Sequence, residues 1–405
     1  MKAPVSMQLN LSLALSWLSQ ARGVNVQGVV ADRVHTDSRS LQAGDLFVAL
    51  RGERFDGNQF IAQAQAQGAV AVVCEASGEA QAATHGLPAL VVPDARIALG
   101  ELAAGWRAQF SLPLIAVTGS NGKTTVTQMV ASILRAHAGD DALSTQGNLN
   151  NDIGVPLTLF NLRAHHRMAV VELGMNHPGE IAYLSQLAQP TVALVNNAQR
   201  EHQEFMQTVE AVAVEHSAVI PALADGGTVV LPAQDTYIAL WRSTAATQDK
   251  QVIDFALHSA ADTCVAMVTG TRIEHGLSQT LTMSTPLGAA TVKLNTAGEH
   301  NARNALAATA VAVAAGIPLV AGPQGSKGSQ RRSELSQTPH TGARCKAQKS
   351  RQSTSLRHFG PDSKWVAKSK GKAAPSQPCK GAGAAAITYR SGGQGHRCDQ
   401  CQDGA

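Results

Sequence analysis

The residues best suited to chemistry lie at 114–125, where the sequence is LIAVTGSNGKTT. Its four leading apolar residues predict a β-strand, and apolar residues at helical spacing after the segment predict a helix. Between them, Gly119 and Gly122 let backbone N–H groups turn toward one point, where the helix N-terminus adds partial positive charge. Lys123 supplies a full positive charge, and the Thr124 hydroxyl can bind magnesium. These are the groups needed to hold a nucleoside triphosphate.

This motif is a short form of the P-loop, because the full form has glycine where this chain has Val117. The alternative is an ordinary glycine turn between a strand and a helix. The flanking strand and helix that the motif requires are both predicted, which favours phosphate binding. The predicted nucleotide-binding residues of the loop are Gly119, Ser120, Asn121, Gly122, Lys123, Thr124 and Thr125.

Further candidate residues follow the next predicted strands. Glu172 lies near the end of a predicted strand at 168–173, where a carboxylate can meet the first loop and bind magnesium. His202 lies in a charged stretch just past a strand at 191–195, and it is about as often a solvated residue as a ligand. The segment 147–156 is rich in asparagine, which suits a polar substrate, although such turns also occur without one.

Two more polar segments stand near the ends of this region. The segment 298–304, GEHNARN, opens a predicted helix and places Asn301 and Asn304 on one face of its first turn. Amides there can contact the edge of a base, but helix capping is the alternative. The tripeptide at 37–39, Asp-Ser-Arg, is either a solvated turn or a functional segment.

The order of these elements predicts an α/β protein. Residues 1–110 are predicted to form a small N-terminal α/β domain, whose last helix is capped by Asp94. Residues 111–320 are predicted to form a P-loop-type central domain with a mostly parallel sheet, including several short β segments between 252 and 294. The apolar run 9–21 is interrupted by polar residues, so it predicts an amphipathic helix and no membrane span.

The last part of the chain, residues 321–405, differs sharply in composition. Residues 322–405 carry 15 of the 33 Lys and Arg residues but only 4 of the 29 Asp and Glu residues. They contain only five Leu, Ile, Val or Phe residues, too few to form a core, so this tail is predicted to be disordered. Four of the six cysteines also lie there, and the isolated Cys74 and Cys264 suggest reduced thiols and a cytoplasmic protein.

Taken together, these segments resemble the Mur ligases, the ATP-dependent amide-forming enzymes of peptidoglycan precursor synthesis. The resemblance covers about residues 6–319 and rests on 118–125, Glu172, His202 and 298–304. Within the family, some strings are similar to the member that adds D-alanyl-D-alanine to UDP-N-acetylmuramoyl-tripeptide. These are GNLNNDIGVP at 147–156, ELGMNHPGEI at 172–181 and VNNAQREH at 195–202.

The resemblance implies ATP and Mg²⁺ as cofactors, with transfer of the ATP γ-phosphoryl group to the tripeptide carboxylate and attack on the acyl phosphate by D-alanyl-D-alanine. Neither nucleic acid nor a second copy of the chain is an expected partner. The roles implied are catalysis for Lys123, Glu172 and His202, and magnesium binding for Thr124, Glu172 and His202. His300, Asn301 and Asn304 would bind ATP, with Asn301 and Asn304 near adenine. Asp37, Ser38 and Arg39 would bind the uridine nucleotide, and Asn150 and Asn151 would lie near the sugar-peptide substrate.

Two departures from the family pattern bear on activity. Many Mur ligases carry a carbamate-modified lysine where this chain aligns His216, and histidine forms no such stable carbamate. After Leu319, the family's Gly-Arg motif and Asp-Asp-x-Tyr-Asn-Ala-Asn-Pro segment do not occur. We hypothesise that a reading-frame shift near codon 320 replaced the C-terminal domain. Translation of the other two forward frames downstream tests this, since neither frame encoding such a segment would refute it.

The expected consequence is that the chain binds ATP and the UDP-linked substrate weakly at most and does not ligate. The alternatives are a non-catalytic nucleotide-binding remnant with a basic interaction tail, and another ligase such as a folylpolyglutamate synthase relative. The extra N-terminal domain and the 147–156 string disfavour the folylpolyglutamate alternative.

Overall fold

The computed structural model of the chain describes residues 6–201, 203–259 and 264–318. The tail at 321–405 and His202 lie outside these ranges. The described residues form α/β layers, with a mostly parallel sheet in the central part, which confirms the predicted fold class.

The N-terminal part is built around a five-stranded sheet with the strand order β2-β7-β6-β5-β4, in which only the β2–β7 pair is antiparallel. Its inner strands β5 and β6 are buried on both faces, as continuous apolar runs in parallel sheets predict. The elements of this part are β1 Leu9–Asn10, α1 Leu11–Trp17, β2 Arg22–Val24, β3 Val30–Ala31, β4 Arg33–His35, β5 Asp45–Val48, α2 Ile61–Ala66, β6 Ala71–Cys74, α3 Ala76–Thr84, β7 Ala89–Val91 and α4 Ala95–Arg107.

The predicted helix at 9–21 was too long. Residues 9–10 instead pair with 30–31 in the antiparallel β1–β3 ribbon, and helix α1 covers only Leu11–Trp17. The Asn10 side chain explains this start, because its carbonyl oxygen accepts a hydrogen bond from the Ser12 N–H at 2.9 Å and caps the helix.

The central part contains a sheet of nine strands among the described residues, in the order β16-β15-β14-β13-β12-β11-β8-β10-β9. Neighbouring strands from β9 to β14 are parallel, and the last two pairs are antiparallel. Its elements are β8 Leu114–Thr118, α5 Lys123–Ala138, β9 Ala142–Ser144, α6 Gly154–Leu159, β10 Met168–Glu172, α7 Glu180–Ala188, β11 Val192–Val195, α8 Gln203–Met206, α9 Val209–Ser217, β12 Thr228–Pro232, α10 Ile238–Thr247, β13 Gln251–His258, β14 Val268–His275, β15 Ser278–Thr285, β16 Gly288–Leu294 and α11 Glu299–Ala314.

The short β segments predicted between 252 and 294 are in fact long strands. β13, β14 and β15 have eight residues each, and β16 has seven. In β15, buried and exposed positions alternate over the strand, which is the period of a half-buried antiparallel strand. The many threonines and serines at the exposed positions hid this length in the sequence.

Strand β8 occupies the position that decides where a ligand binds. It pairs with β10 on one side and with β11 on the other, so strands that follow it in the sequence lie on both sides of it in the sheet. In open parallel sheets, the carboxyl ends of the strands at such a switch point form a crevice that holds ligands. The carboxyl end of β8 is the start of the predicted phosphate loop.

The N-terminal and central parts share one hydrophobic core through helix α4. The Arg107 guanidinium at the end of α4 is buried and donates hydrogen bonds to the carbonyl oxygens of Ala188 at 3.0 Å and Gln189 at 3.1 Å. These bonds fasten the connection to the end of α7, while the domain boundary at residue 110 stays a prediction. Within the described ranges, none of the helices combines the length and apolar character that a membrane crossing requires.

Candidate active site

The phosphate loop leaves β8 and ends where helix α5 begins at Lys123. Gly119 and Gly122 have φ angles of 129° and 80°, which side-chain-bearing residues rarely adopt. A Cβ atom on Gly122 would lie 2.7 Å from Oδ1 of Asn304, so a side chain would also collide with helix α11. The first N–H groups of α5 therefore open toward the loop, as phosphate binding at a helix N-terminus requires.

The loop is tied to the segment that follows β11. The Asn121 N–H donates to Oδ1 of Asn197 at 2.9 Å, and the Asn121 carbonyl oxygen accepts from Nδ2 of both Asn196 and Asn197 at 2.8 and 2.9 Å. The Asn121 amide donates to Oε1 of Gln199 at 2.7 Å, and the Ser120 N–H donates to the Asn197 carbonyl at 3.0 Å. These bonds set the shape of the loop without a ligand.

Lys123 lies folded over the loop. Its ammonium group donates to the carbonyl oxygens of Gly119 at 2.7 Å and Ser120 at 3.1 Å, and it lies 3.5 Å from Oε2 of Glu201. Burial opposes ionisation of Glu201, but the hydrogen bond from His216 and the charge of Lys123 outweigh it and lower the carboxyl pKa to about 2. Glu201 is therefore a carboxylate beside the lysine at any ordinary pH.

Glu172 ends β10 next to the phosphate loop, as its position at the end of the predicted strand indicated. Its side chain is 1% exposed, and Oε1 accepts hydrogen bonds from Thr124 Oγ1 at 3.2 Å and Asn150 Nδ2 at 2.8 Å. The other oxygen, Oε2, is buried and has no hydrogen-bond partner among the residues that the structure describes. Since a buried carboxylate oxygen is costly without a partner, this arrangement fits an oxygen-preferring cation such as Mg²⁺.

The third predicted magnesium ligand, His202, lies outside the described residues, so its place is not tested. Within the part of the chain that the structure describes, no group of three or more His, Cys, Asp or Glu side chains could hold a metal by itself. A cation at Glu172 would therefore depend on Thr124, phosphate oxygens, water or residues outside the described ranges.

A pocket of about 850 Å³ opens beside the phosphate loop. It lies between the ends of β11, β12 and β13 and the start of α11, and its size suits an adenosine group. His300 is exposed at this pocket, and the buried Asn304 accepts a hydrogen bond from Nδ2 of Asn196 at 3.2 Å. Residues that line the pocket include Thr125, Asn196, Asp235, Phe255, His300, Asn301 and Asn304.

Asn301 lines the pocket and also hydrogen-bonds to the segment before α11. Its Nδ2 donates to Oγ1 of Thr296 at 2.8 Å and to the carbonyl oxygen of Ala297 at 2.7 Å. These bonds hold the turn before α11. They are not N-capping bonds, because the cap residue is Gly298 and no side chain caps the helix there. Base contact stays a prediction for the remaining amide oxygen.

The two asparagines predicted to bind the sugar-peptide are held differently. Asn150 donates to Glu172, as described above, and so lies at the edge of the magnesium candidate. Asn151 uses Oδ1 to accept hydrogen bonds from the N–H groups of Ile153 at 3.3 Å and Gly154 at 2.8 Å, which holds the turn that enters helix α6. Substrate binding by both residues stays a prediction.

The segment 37–39 is separate from this network. Arg39 forms a two-point ion pair with Asp37, with hydrogen bonds of 2.9 and 2.8 Å, and its guanidinium holds the pKa of Asp37 well below its usual range. The buried Ser38 hydroxyl donates to Oε1 of Gln63 at 3.1 Å. Among the described residues, no hydrogen bond joins this segment to the phosphate loop.

Sequence reasoning missed the residues that build the loop's surroundings. The sequence assigns no role to Asn196, Asn197, Gln199 or Glu201 beyond their place in the 195–202 string and in the stretch after a strand. The available signal was their position after the strand that pairs with β8, because parallel strands bring their carboxyl ends together. Asp235, which accepts a hydrogen bond from the Ala198 N–H at 3.3 Å and lines the pocket, gave no signal of its own.

Comparison with known proteins agrees with this geometry. Two family models match the chain, the "Mur ligase family, catalytic domain" over residues 31–107 and the "Mur ligase middle domain" over residues 117–312. A crystal structure of MurF from Acinetobacter baumannii aligns with a TM-score of 0.69 and 35% identity, covering 80% of this chain and 70% of that chain. The chain belongs to the Mur ligase family.

Other relatives of this Mur ligase are similar over the same region. A UDP-N-acetylmuramoyl-tripeptide–D-alanyl-D-alanine ligase of Escherichia coli is 40% identical over 314 residues, and one of Haemophilus influenzae is 38% identical over 312 residues. Both alignments cover 76% of this chain but less than two thirds of the relative, 66% and 65% respectively. A MurF ligase from Thermotoga maritima in complex with ADP aligns with a TM-score of 0.59 and 25% identity, covering 70% of this chain and 63% of that chain.

Proposed function

We propose that this Mur ligase binds ATP and UDP-N-acetylmuramoyl-tripeptide for the ligation of D-alanyl-D-alanine to the tripeptide. The observation that carries the proposal is the buried Glu172 carboxylate beside Thr124 at the end of a P-loop. One of its oxygens has no partner within the described ranges. Relatives that bear this ligase name support the choice of substrates.

The chemistry explains why such a site is needed. A carboxylate is a poor acyl donor until one oxygen becomes a good leaving group. Transfer of the ATP γ-phosphoryl group to the tripeptide carboxylate makes an acyl phosphate, and attack by the amine of D-alanyl-D-alanine then forms the amide and releases phosphate. Lys123 is the catalytic cation, because its ammonium group can leave the loop carbonyls and neutralise charge on the phosphoryl group.

Magnesium fits the residues that are present. Thr124 and Glu172 would hold it together with His202, and the unpaired Oε2 of Glu172 is the atom that lacks a partner without it. When bound, magnesium neutralises negative charge on the phosphate oxygens. The other tasks belong to the chain itself: loop N–H groups bind the phosphates, and Asn150 orients the Glu172 carboxylate.

The remaining contacts complete the proposed binding mode. The pocket beside α11 takes the adenosine group, with His300, Asn301 and Asn304 at its wall. Asp37, Ser38 and Arg39 bind the uridine nucleotide, and Asn150 and Asn151 face the sugar-peptide. The protein acts in the cytoplasm as a monomer.

We further propose that the 405-residue chain does not complete the ligation. The motif strings that the family carries in its C-terminal domain do not occur after residue 319, and a closing third domain would normally complete an active site of this kind. The test is a ligation assay on the purified chain with ATP, magnesium and both substrates. Robust phosphate release that requires both substrates would overturn this part of the proposal.

A second candidate function is favoured by the charge of the tail. Residues 322–405 carry 15 basic and 4 acidic residues, which suits an interaction with nucleic acid or another acidic partner. Salt-dependent binding of DNA or RNA by the full chain, lost in a chain that ends at residue 318, would support this candidate.

A further inference from the structure

We propose that His216, acting through Glu201, positions Lys123 for the nucleotide phosphates, an inference that rests on the proposed ATP binding. His216 is a positioning residue, and Glu201 is the competing carboxylate through which it acts; neither is assigned a contact with the nucleotide.

His216 is fully buried and bonded through both ring nitrogens. Nε2 lies 2.9 Å from Oε1 of Glu201, and Nδ1 lies 3.0 Å from Oγ1 of Thr118. Because a carboxylate only accepts, Nε2 carries the proton and Nδ1 accepts from the Thr118 hydroxyl. Burial also lowers the pKa of the imidazole, so the ring is neutral. Residue 216 therefore supplies neither a carbamate nor a free nitrogen for a cation, and its task is to hold Glu201.

Glu201 stands between this histidine and the lysine. Its side chain is 12% exposed, Oε1 accepts from His216, and Oε2 lies 3.5 Å from the Lys123 ammonium. That separation is longer than an ordinary charged hydrogen bond, so the carboxylate attracts the ammonium without clamping it. The lysine is thus balanced between one carboxylate and two loop carbonyls, at 2.7 and 3.1 Å.

The strength of these competing contacts determines how readily Lys123 binds a phosphate. Phosphate oxygens must compete with Glu201 for the same ammonium group. The His216 hydrogen bond takes up part of the carboxylate's accepting capacity and so weakens its hold on Lys123. The Ser120 side chain also hydrogen-bonds to this carboxylate. Without the His216 donor, the largely buried carboxylate would draw Lys123 closer, and the lysine would be less available to ATP.

The experiment compares MgATP with adenosine as ligands of the full 405-residue chain, by equilibrium titration. His216→Leu should lower the affinity for MgATP about tenfold and change the affinity for adenosine less than about twofold. His216→Gln, whose amide can donate to Glu201 and accept from Thr118, should restore MgATP affinity to within about threefold of wild type. Unchanged MgATP affinity in His216→Leu, or an equal loss for both ligands, would overturn the inference.

A further variant keeps the test decisive if His216→Leu folds poorly. Glu201→Gln removes the competing charge, so its MgATP affinity should equal or exceed that of wild type, and a tenfold loss would contradict the inference. A wild-type chain that binds adenosine but no MgATP would instead refute the proposed function and, with it, this inference.

Discussion

The nucleotide site and the segment at 37–39 differ in how their functional candidates are held. Around the phosphate loop, side chains of the segment after β11 hydrogen-bond to the loop backbone and to the Asn121 side chain before a ligand arrives, and Asn196 among them is buried. Asp37 and Arg39 are instead bonded to each other, and 83% of the Arg39 side chain is exposed. A preorganised site gives large effects when one member is removed, whereas an exposed pair gives small ones.

The largest expected effect comes from Lys123→Met. The ammonium group is the full positive charge on the loop, so its loss should lower MgATP affinity about a hundredfold, the magnitude of a strong charged hydrogen bond. Equilibrium titration of the full chain measures this. Lys250→Met is a matched control, because that lysine bonds to the Ala224 carbonyl far along the chain from the loop. Equal losses of MgATP affinity in the two variants would show that the effect does not come from the position of Lys123 on the loop.

Glu172→Gln should produce the next largest effect, and only when magnesium is present. The substitution removes the anionic charge that fits the cation, so MgATP affinity should fall about tenfold while affinity for ATP in EDTA stays unchanged. Without magnesium, the variant should be at least as stable as wild type, because a neutral amide replaces a buried carboxylate and an incompletely paired buried charge costs more than a neutral polar group. Thermal melting with and without magnesium checks this part. A loss of affinity that is equal in EDTA would contradict magnesium binding at Glu172.

Gly122→Ala tests whether the loop is held rigidly. Its φ of 80° and the 2.7 Å approach to Asn304 should together cost about 1–3 kcal/mol in the free energy of unfolding, measured by urea denaturation. Gly139→Ala is the control, since Gly139 also has a positive φ, 64°, but a methyl group added there would meet no other atom within 4 Å. The difference between the two variants isolates the collision with Asn304. If both lose the same stability, the contact with α11 does not constrain the loop.

The smallest effect on stability is expected for Arg39→Ala. An exposed ion pair contributes little, so the free energy of unfolding should change by less than about 0.5 kcal/mol and MgATP affinity should not change. Affinity for the UDP-linked substrate should fall several-fold if the segment binds it. Arg22→Ala, which breaks the ion pair with Glu79 in the same part of the chain, is the control that should leave substrate affinity unchanged. A large loss of stability in Arg39→Ala would mean that the segment is structural.

The sequence predicts residues that belong to a local motif better than residues that strand pairing brings together. The phosphate loop was predictable because its glycines and lysine have the spacing of a known motif between a strand and a helix. Glu172 was predictable because it lies at the end of an apolar run that predicts a strand. The supporting segment at 196–201 was not, because its role arises only when β11 pairs with β8 and brings two distant loops together. His216 shows the same limit, since its bonds to Thr118 and Glu201 cross 98 and 15 residues of chain.

The predicted start of the first helix and the predicted lengths of the last strands were wrong, because a periodic pattern contains no information about capping or strand pairing. Apolar spacing predicted a helix from residue 9, but the Asn10 cap and the β1–β3 pairing move its start to Leu11. In β13–β16, polar strand residues concealed long strands whose pairing stabilises them.

We propose that the part of the chain described by the structure holds a preformed, magnesium-dependent ATP site. Isothermal titration of the purified 405-residue chain with ATP, in magnesium and in EDTA, tests it most directly. We expect weak but saturable binding with one site per chain, a dissociation constant on the order of 1 mM or somewhat below, and a clear weakening in EDTA. Absence of saturable binding in magnesium, at concentrations well above that value, would contradict the account.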